Sequence, residues 1–304
     1  MKDEKETSAA RVSRLLEYME REGDVRVREI PSLLHVSMVT AGHYAAALRA
    51  CPWITFGREY ACETERDRKL RLSKTLCFST VSVERTQVRV MRYCPATGSV
   101  TRQSHALCDA ISAEEALTAT LGRVLGGMME EERQPALIGL MVDRGVELPH
   151  TESLSRLSIP IESREELTVS ALARAYGEQS VLYVHVGDVP TMLYVRHGMP
   201  MADLRPNENL QREWPTVSDA RVSAIVKHAS QVLSVLSPDR LIFETDGGGA
   251  HAFAEAVIRQ ATTSGIKLPP IETPDGMSLA ERELLARLRE RLAEKILRDA
   301  KKDC

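Results

Sequence analysis

Apolar positions recur at helical spacing through the first fifty residues. Val12, Leu15, Leu16 and Met19 fall at i, i+3, i+4 and i+7, which predicts an amphipathic helix over 8–22. Ser8 stands at its start as an N-cap, and Gly23-Asp24 ends it. Residues 25–27 are a short β-type run. Ile30, Leu33 and Leu34 then form the inner face of a short helix, Val36 is an apolar turn residue, and Ser37 is an N-cap for a second helix. In that second helix Ala41, Ala45 and Leu48 lie on one stripe, and their small size permits close approach. The pattern has the form of a helix-turn-helix. Pro31 and His35 depart from its usual sequence, in which the turn favours glycine because the backbone there goes left-handed. Trp53-Ile54-Thr55-Phe56 and Glu59-Tyr60-Ala61, around Gly57-Arg58, predict a β-hairpin, which would be a wing.

From residue 76 the period changes to that of strands. Residues 76–83, 87–93 and 100–105 are β-type runs, with Pro95-Ala96-Thr97-Gly98 turning the second into the third. A helix over 113–129, capped by Ser112, and a strand over 136–142 follow. The order recurs more loosely downstream: a helix over 165–177, strands over 181–186 and 191–195 around Gly187-Asp188-Val189-Pro190, a helix over 217–236, a strand over 241–244, the loop Asp246-Gly247-Gly248-Gly249 and a helix over 250–263. Three antiparallel strands, a helix and a strand make a ribonuclease-H-like half, and two such halves make an actin-like body. The chain closes on a helix over 279–301 with Ser278 and Glu281 as a capping box. Its stripe of Leu284, Leu285, Leu288, Leu292, Ile296 and Leu297 needs a partner surface, either the N-terminal unit or a dimer seam.

Composition narrows the class. Of 304 residues 43% are hydrophobic and 27% charged, while aromatics are 4%, so the core is aliphatic and the chain is long enough for two domains. No apolar run approaches the ~18 residues of a membrane span. The N-terminus is charged and lacks the apolar core of a secretion signal, which places the expectation in the cytoplasm with no membrane partner. Six cysteines without CxxC or zinc-like spacing read as reduced thiols, with no metal site. The net charge of −3 hides a division: residues 1–75 carry 14 Lys+Arg against 12 Asp+Glu, 76–278 carry 18 against 25, and 279–304 carry 8 against 6. Mildly basic ends on an acidic middle suit a small nucleic-acid-binding module at one end. The candidate DNA-binding residues are Ser37, Met38, Thr40 and His43 at the start of the second helix, which in such modules enters the major groove, and Arg58 at the hairpin tip. A protein-interaction module of three helices remains the alternative for the same residues.

Three segments of the body carry a family resemblance. Residues 76–81 through 88–90 look like a first phosphate hairpin. Residues 171–177, followed by 181–188, are similar to a helix leading into a second phosphate strand. Leu233–Leu236, Pro238, the strand 241–244 and Gly247, Gly248 and Gly249 are similar to a terminal helix, strand and glycine loop. By order and spacing the chain resembles a ROK-family (repressor, open reading frame, kinase) transcriptional regulator. The resemblance implies an α/β multidomain fold: a winged helix-turn-helix over 1–75, ribonuclease-H-like lobes over 76–162 and 163–278, and a C-terminal helix over 279–304. It also implies where a sugar kinase of the family would hold its reacting groups. Ser79 falls near the metal-positioning Asp of the first hairpin, and Val81, Ser82 and Val83 replace flexible glycines. Thr168 stands at the catalytic Asp, with Glu165 and Glu166 beside it off the helical face. Asp188 sits in a second phosphate loop with one glycine, and the zinc-binding cysteine cluster is missing. These departures imply a body that has lost phosphoryl transfer, with no catalytic residue and no cofactor. It would sense a sugar or sugar phosphate beside Thr168, Asp188, Gly247, Gly248 and Gly249, or serve only to dimerise. The glycine loop either retains a nucleotide or simply makes the turn before a helix. The expected protein is a homodimeric DNA-binding regulator; a divergent ATP-dependent carbohydrate kinase is the alternative.

Overall fold

The computed structural model describes residues 6–57, 64–84, 87–106, 137–143, 159–186, 191–203, 219–245, 249–274 and 276–302, with 115, 119, 122 and 146 singly. The first helix, α1 (Ser8–Glu22), buries Val12, Leu15, Leu16 and Met19, the stripe expected from the sequence. Its cap is Thr7, one residue before Ser8: the Thr7 side chain accepts from the Ala10 amide. β1 (Val25–Arg26) and a 3-10 turn lead into the short α2 (Ile30–Leu34). His35 takes up the left-handed conformation in the turn, and α3 (Met38–Ala50) begins after Ser37. After it comes β2 (Ile54–Gly57). Its antiparallel partner is β3 (Lys69–Leu72), with Phe56 opposite Leu70, and β3 also pairs with β1. The predicted return strand and Arg58 lie outside the described residues. Residues 69–72 form this strand because Leu70 and Leu72 alternate inward while Arg71 points out.

The next sheet contains β4 (Phe78–Val83), β5 (Gln87–Cys94), β6 (Ser99–Ala106), β7 (Ile138–Val142) and β8 (Ile161–Ser163). Its order is β6-β5-β4-β7-β8, antiparallel across β6, β5 and β4 and parallel across β4, β7 and β8. Then come α4 (Arg164–Tyr176), β9 (Ser180–Val186), β10 (Thr191–Arg196), β11 (Met199–Asp203), α5 (Asp219–Val235), β12 (Arg240–Thr245), α6 (Ala250–Thr263) and β13 (Ile271–Glu272). The second sheet runs β11-β10-β9-β12-β13 with the same senses: antiparallel on one side of β9, parallel on the other. Both sheets therefore repeat one plan around a central strand, β4 or β9, that is buried along its whole length. Of the helix expected over 113–129, Glu115, Ala119 and Gly122 are described and are helical.

The last helix, α7 (Leu279–Ala300), joins these parts. Ser278 and Glu281 cap it reciprocally. Leu285, Leu288, Leu292, Ala293 and Ile296 enter one core with α1, α3 and the strand residues Phe78, Met91 and Tyr93. Leu284 enters another with Met141 of β7 and Leu167 of α4. The apolar stripe is thus covered within the chain. No described helix is long and apolar enough to cross a membrane.

Candidate functional site

Two places gather side chains with chemistry, and the first holds residues singled out by the sequence. The first is the start of α3. Ser37 accepts the Thr40 amide at 3.2 Å, and its hydroxyl lies 3.0 Å from that of Thr40. Both hydroxyls are engaged in fixing the first turn, and Thr40 is half-buried. Met38 is 46% and Val39 72% exposed. At 100° per residue these two share one open face with Gly42, His43, Ala46 and Arg49, while Ala41, Tyr44, Ala45, Ala47 and Leu48 are buried.

Beside that face lies a groove of about 460 Å³ lined by Val27, Gly42, Ala45, Ala46, Arg49, Ala50, Phe56 and Arg66. The guanidinium of Arg49 stands 5.1 Å and that of Arg68 5.0 Å from the centre of the Phe56 ring. Asp67, the nearby carboxylate, is held below its usual range by the Thr64 hydroxyl and by Arg28, whose guanidinium is 2.7 Å away. Arg49 is visible in the sequence as the residue two turns after Gly42. Phe56 and Arg66 are not, because their nearness to α3 depends on the pairing of β2 with β3.

The second place is the carboxyl edge of the first sheet. The parallel register aligns Val83, Val142 and Ser163, so the residues that follow them, Glu84, Asp143 and Arg164, stand in a row beyond three strand ends. In open α/β sheets that edge is where ligands sit. Here charge fills it. The Arg164 guanidinium donates from Nη2 to Glu84 Oε1 at 3.1 Å and from Nε to Asp143 Oδ1. Glu84 also pairs with Arg89 and accepts from Gln87 Nε2 at 2.8 Å. Glu84, Asp143 and Arg164 are all buried. Removing one member of such a buried cluster would leave an uncompensated charge, which is strongly destabilising.

Thr168, one turn into α4, is 2% exposed and donates its hydroxyl to the Arg164 carbonyl at 2.8 Å. It faces the packed interior rather than an open cleft. Ser79 is fully buried within β4. Glu166 is exposed in the first turn of α4, where its amide is capped by Ser163. Gly249 precedes α6 at φ 89°, with nothing within 4 Å of where a Cβ would stand. Its glycine is required by the left-handed backbone, not by a crowded neighbour. Asp188, Gly247 and Gly248 lie outside the described residues. The row of Glu84, Asp143 and Arg164 carries no sequence signal, since 80 residues separate its first and last members.

No family model matches the chain, and no curated protein matches it in sequence. Solved structures do. A ROK family transcriptional regulator, a homologue of the E. coli MLC protein, superposes over 95% of this chain and 98% of its own with a TM-score of 0.60 at 11% identity. A ROK family glucokinase from Streptomyces griseus, in complex with glucose and AMPPNP, covers 72% of this chain and 99% of its own at 10% identity, with a TM-score of 0.45. The ROK hexokinase from Thermus thermophilus covers 72% and 99% at 14% identity, with a TM-score of 0.43. With its two sheets on one plan and its capping C-terminal helix, the chain has the actin-like fold of the ROK proteins.

Proposed function

We propose that the chain is a cytoplasmic DNA-binding transcriptional regulator. Residues 1–75 are its winged helix-turn-helix, with α3 as the recognition helix and β2–β3 as the base of the wing. The lobes over 76–162 and 163–278 are a non-catalytic scaffold, and the helix over 279–304 links them to the DNA-binding unit. The observation that carries the reading is the open face of α3 beside a groove lined by Arg49 and Arg66, with Arg68 against the Phe56 ring. A helix capped by Ser37, exposed on one side and flanked by cations, suits insertion into a major groove with phosphates alongside. The regulator with TM-score 0.60 supports the same assignment by fold. Two copies would read a two-fold operator, each contributing one module.

The scaffold reading is supported by the filled strand edge. Phosphoryl transfer needs a carboxylate free to take a hydroxyl proton and others free to hold a metal. Glu84 and Asp143 are committed to Arg164, and Thr168 supplies no base at neutral pH. Any effector, a sugar or sugar phosphate, would bind between the two lobes. A carbohydrate kinase is the rival that the same fold allows, with Glu166 as its exposed carboxylate.

Gel retardation with the DNA upstream of the protein's own gene, at a stated low salt, tests the first claim. Retardation is expected, and its absence at low salt overturns DNA binding. A coupled assay with ATP and a panel of hexoses tests the second. No turnover is expected; hexose-dependent turnover lost in Glu166→Gln or Asp188→Asn would replace the scaffold reading with the kinase.

A further inference from the structure

We propose that α3 recognises thymine methyl groups in the major groove through Met38 and Val39, while Arg49 and Arg66 hold the adjoining phosphodiester strand in the groove between α3 and β2. The inference rests on the DNA-binding reading above and names the feature of DNA that is read.

The exposed face of α3 lacks the usual base-reading side chains. The helix is MVTAGHYAAALRA, with no Asn, Gln, Asp, Glu or Lys. Those side chains, with Arg, make the hydrogen bonds that tell one base edge from another. The first-turn hydroxyl, Thr40, is occupied with Ser37. His43 is the one exposed polar side chain before Arg49 in the last turn.

In the place of polar readers stand two large apolar side chains, Met38 and Val39, on a turn held rigid by the Ser37 cap. The apolar feature of the major groove is the C5 methyl of thymine. A thioether chain and an isopropyl group can bury it and can do little else with a base edge.

The cations answer to the other half of the ligand. Arg49 and Arg66 line the groove, and Arg49 and Arg68 are oriented by the Phe56 ring. Gly42, Ala45 and Ala46 form its floor, so no long side chain keeps a backbone away. Asp67 adds little repulsion because Arg28 pairs with it. The occupant is duplex DNA rather than RNA on two grounds. An A-form major groove is too narrow for a helix, and uracil has no methyl.

The test uses the full chain. Duplexes are selected from a random-sequence library at low salt and then resynthesised with deoxyuridine for thymine. Wild-type affinity is expected to fall about fourfold for each contacted methyl. Met38→Ala and Val39→Ala, both at exposed positions, should keep the wild-type melting temperature and bind thymine and uracil duplexes alike. Arg49→Ala and Arg66→Ala should weaken both duplexes equally and flatten the salt dependence. Equal wild-type binding to the two duplexes, or a preference for thymine that survives both apolar variants, overturns methyl recognition and leaves DNA binding standing. If no duplex is retained at low salt, the DNA-binding reading falls and this inference with it.

Discussion

His35 sits at φ 52°, ψ 47°, in the turn between α2 and α3. A side chain there brings its Cβ against the following carbonyl, at a cost of about 1–2 kcal/mol. His35 is exposed, so little packing offsets that cost. His35→Gly is expected to raise stability by about 0.5–1 kcal/mol, less than the full strain because glycine adds freedom to the unfolded chain. Denaturant titration measures the gain, and an unchanged or lower midpoint at constant slope would show that the imidazole makes a contact worth more than the strain. This turn was legible in the sequence because one residue type is favoured there and another is present. Ser37 was legible because serine is the type favoured at an N-cap. The tie between Glu84, Asp143 and Arg164 was not: three residues far apart in the chain meet only because three parallel strands end in register.

At the scale of elements, α7 does the most joining. Its stripe is continuous in sequence but serves two cores in space: Leu284 faces β7 and α4, while Leu285 through Ile296 face α1 and α3. Arg287 reaches Glu162 at 2.7 Å and the Ser170 hydroxyl at 2.9 Å. The Leu279 amide is accepted by Glu244 of β12 at 2.6 Å, which ties the helix start to the second sheet. The helix, its cap and its apolar face were readable from period and the Ser-x-x-Glu pattern. Which surface it covers was not, since the same stripe would serve a dimer seam. The short strands β8, β11 and β13 were also missed, because two to five residues give too few alternations to stand out. Gly139 tests the seating of α7 on β7. A Cβ there would stand 2.9 Å from Leu284 Cδ1 and 3.0 Å from its Cγ. Because Leu284 is itself fully buried, it has little room to retreat. Gly139→Ala is expected to cost about 1–3 kcal/mol. A thermal melt equal to wild type would mean that α7 shifts freely on the sheet.

At the scale of the whole molecule, the N-terminal unit does not own its core. The residues of α1, α2, α3 and β1–β3 share one apolar cluster with Phe78, Met91 and Tyr93 of the first sheet and five residues of α7. A polar clasp closes the same seam. Tyr93 donates its hydroxyl to Glu20 Oε1 and Arg289 donates to Glu20 Oε2, each at 2.6 Å. Burial, and then the Glu20 carboxylate, push the Tyr93 phenol well above its usual range, so it remains a donor throughout neutral pH. A fragment of residues 1–75 would lose the clasp and the cover from α7. Leu285, Leu288, Leu292 and Ile296 are each nearly fully buried. At about 1.5–3 kcal/mol per large side chain, their loss is comparable to the ~5–15 kcal/mol that holds a whole domain folded. The isolated 1–75 fragment is therefore expected to show no cooperative transition by far-UV circular dichroism. Joining residues 276–302 to it through a flexible linker should restore one, because it returns the missing face of the core. A cooperative melt of 1–75 alone near that of the full chain would show that the unit stands independently. The body could then influence α3 only through a linker, not through a shared core.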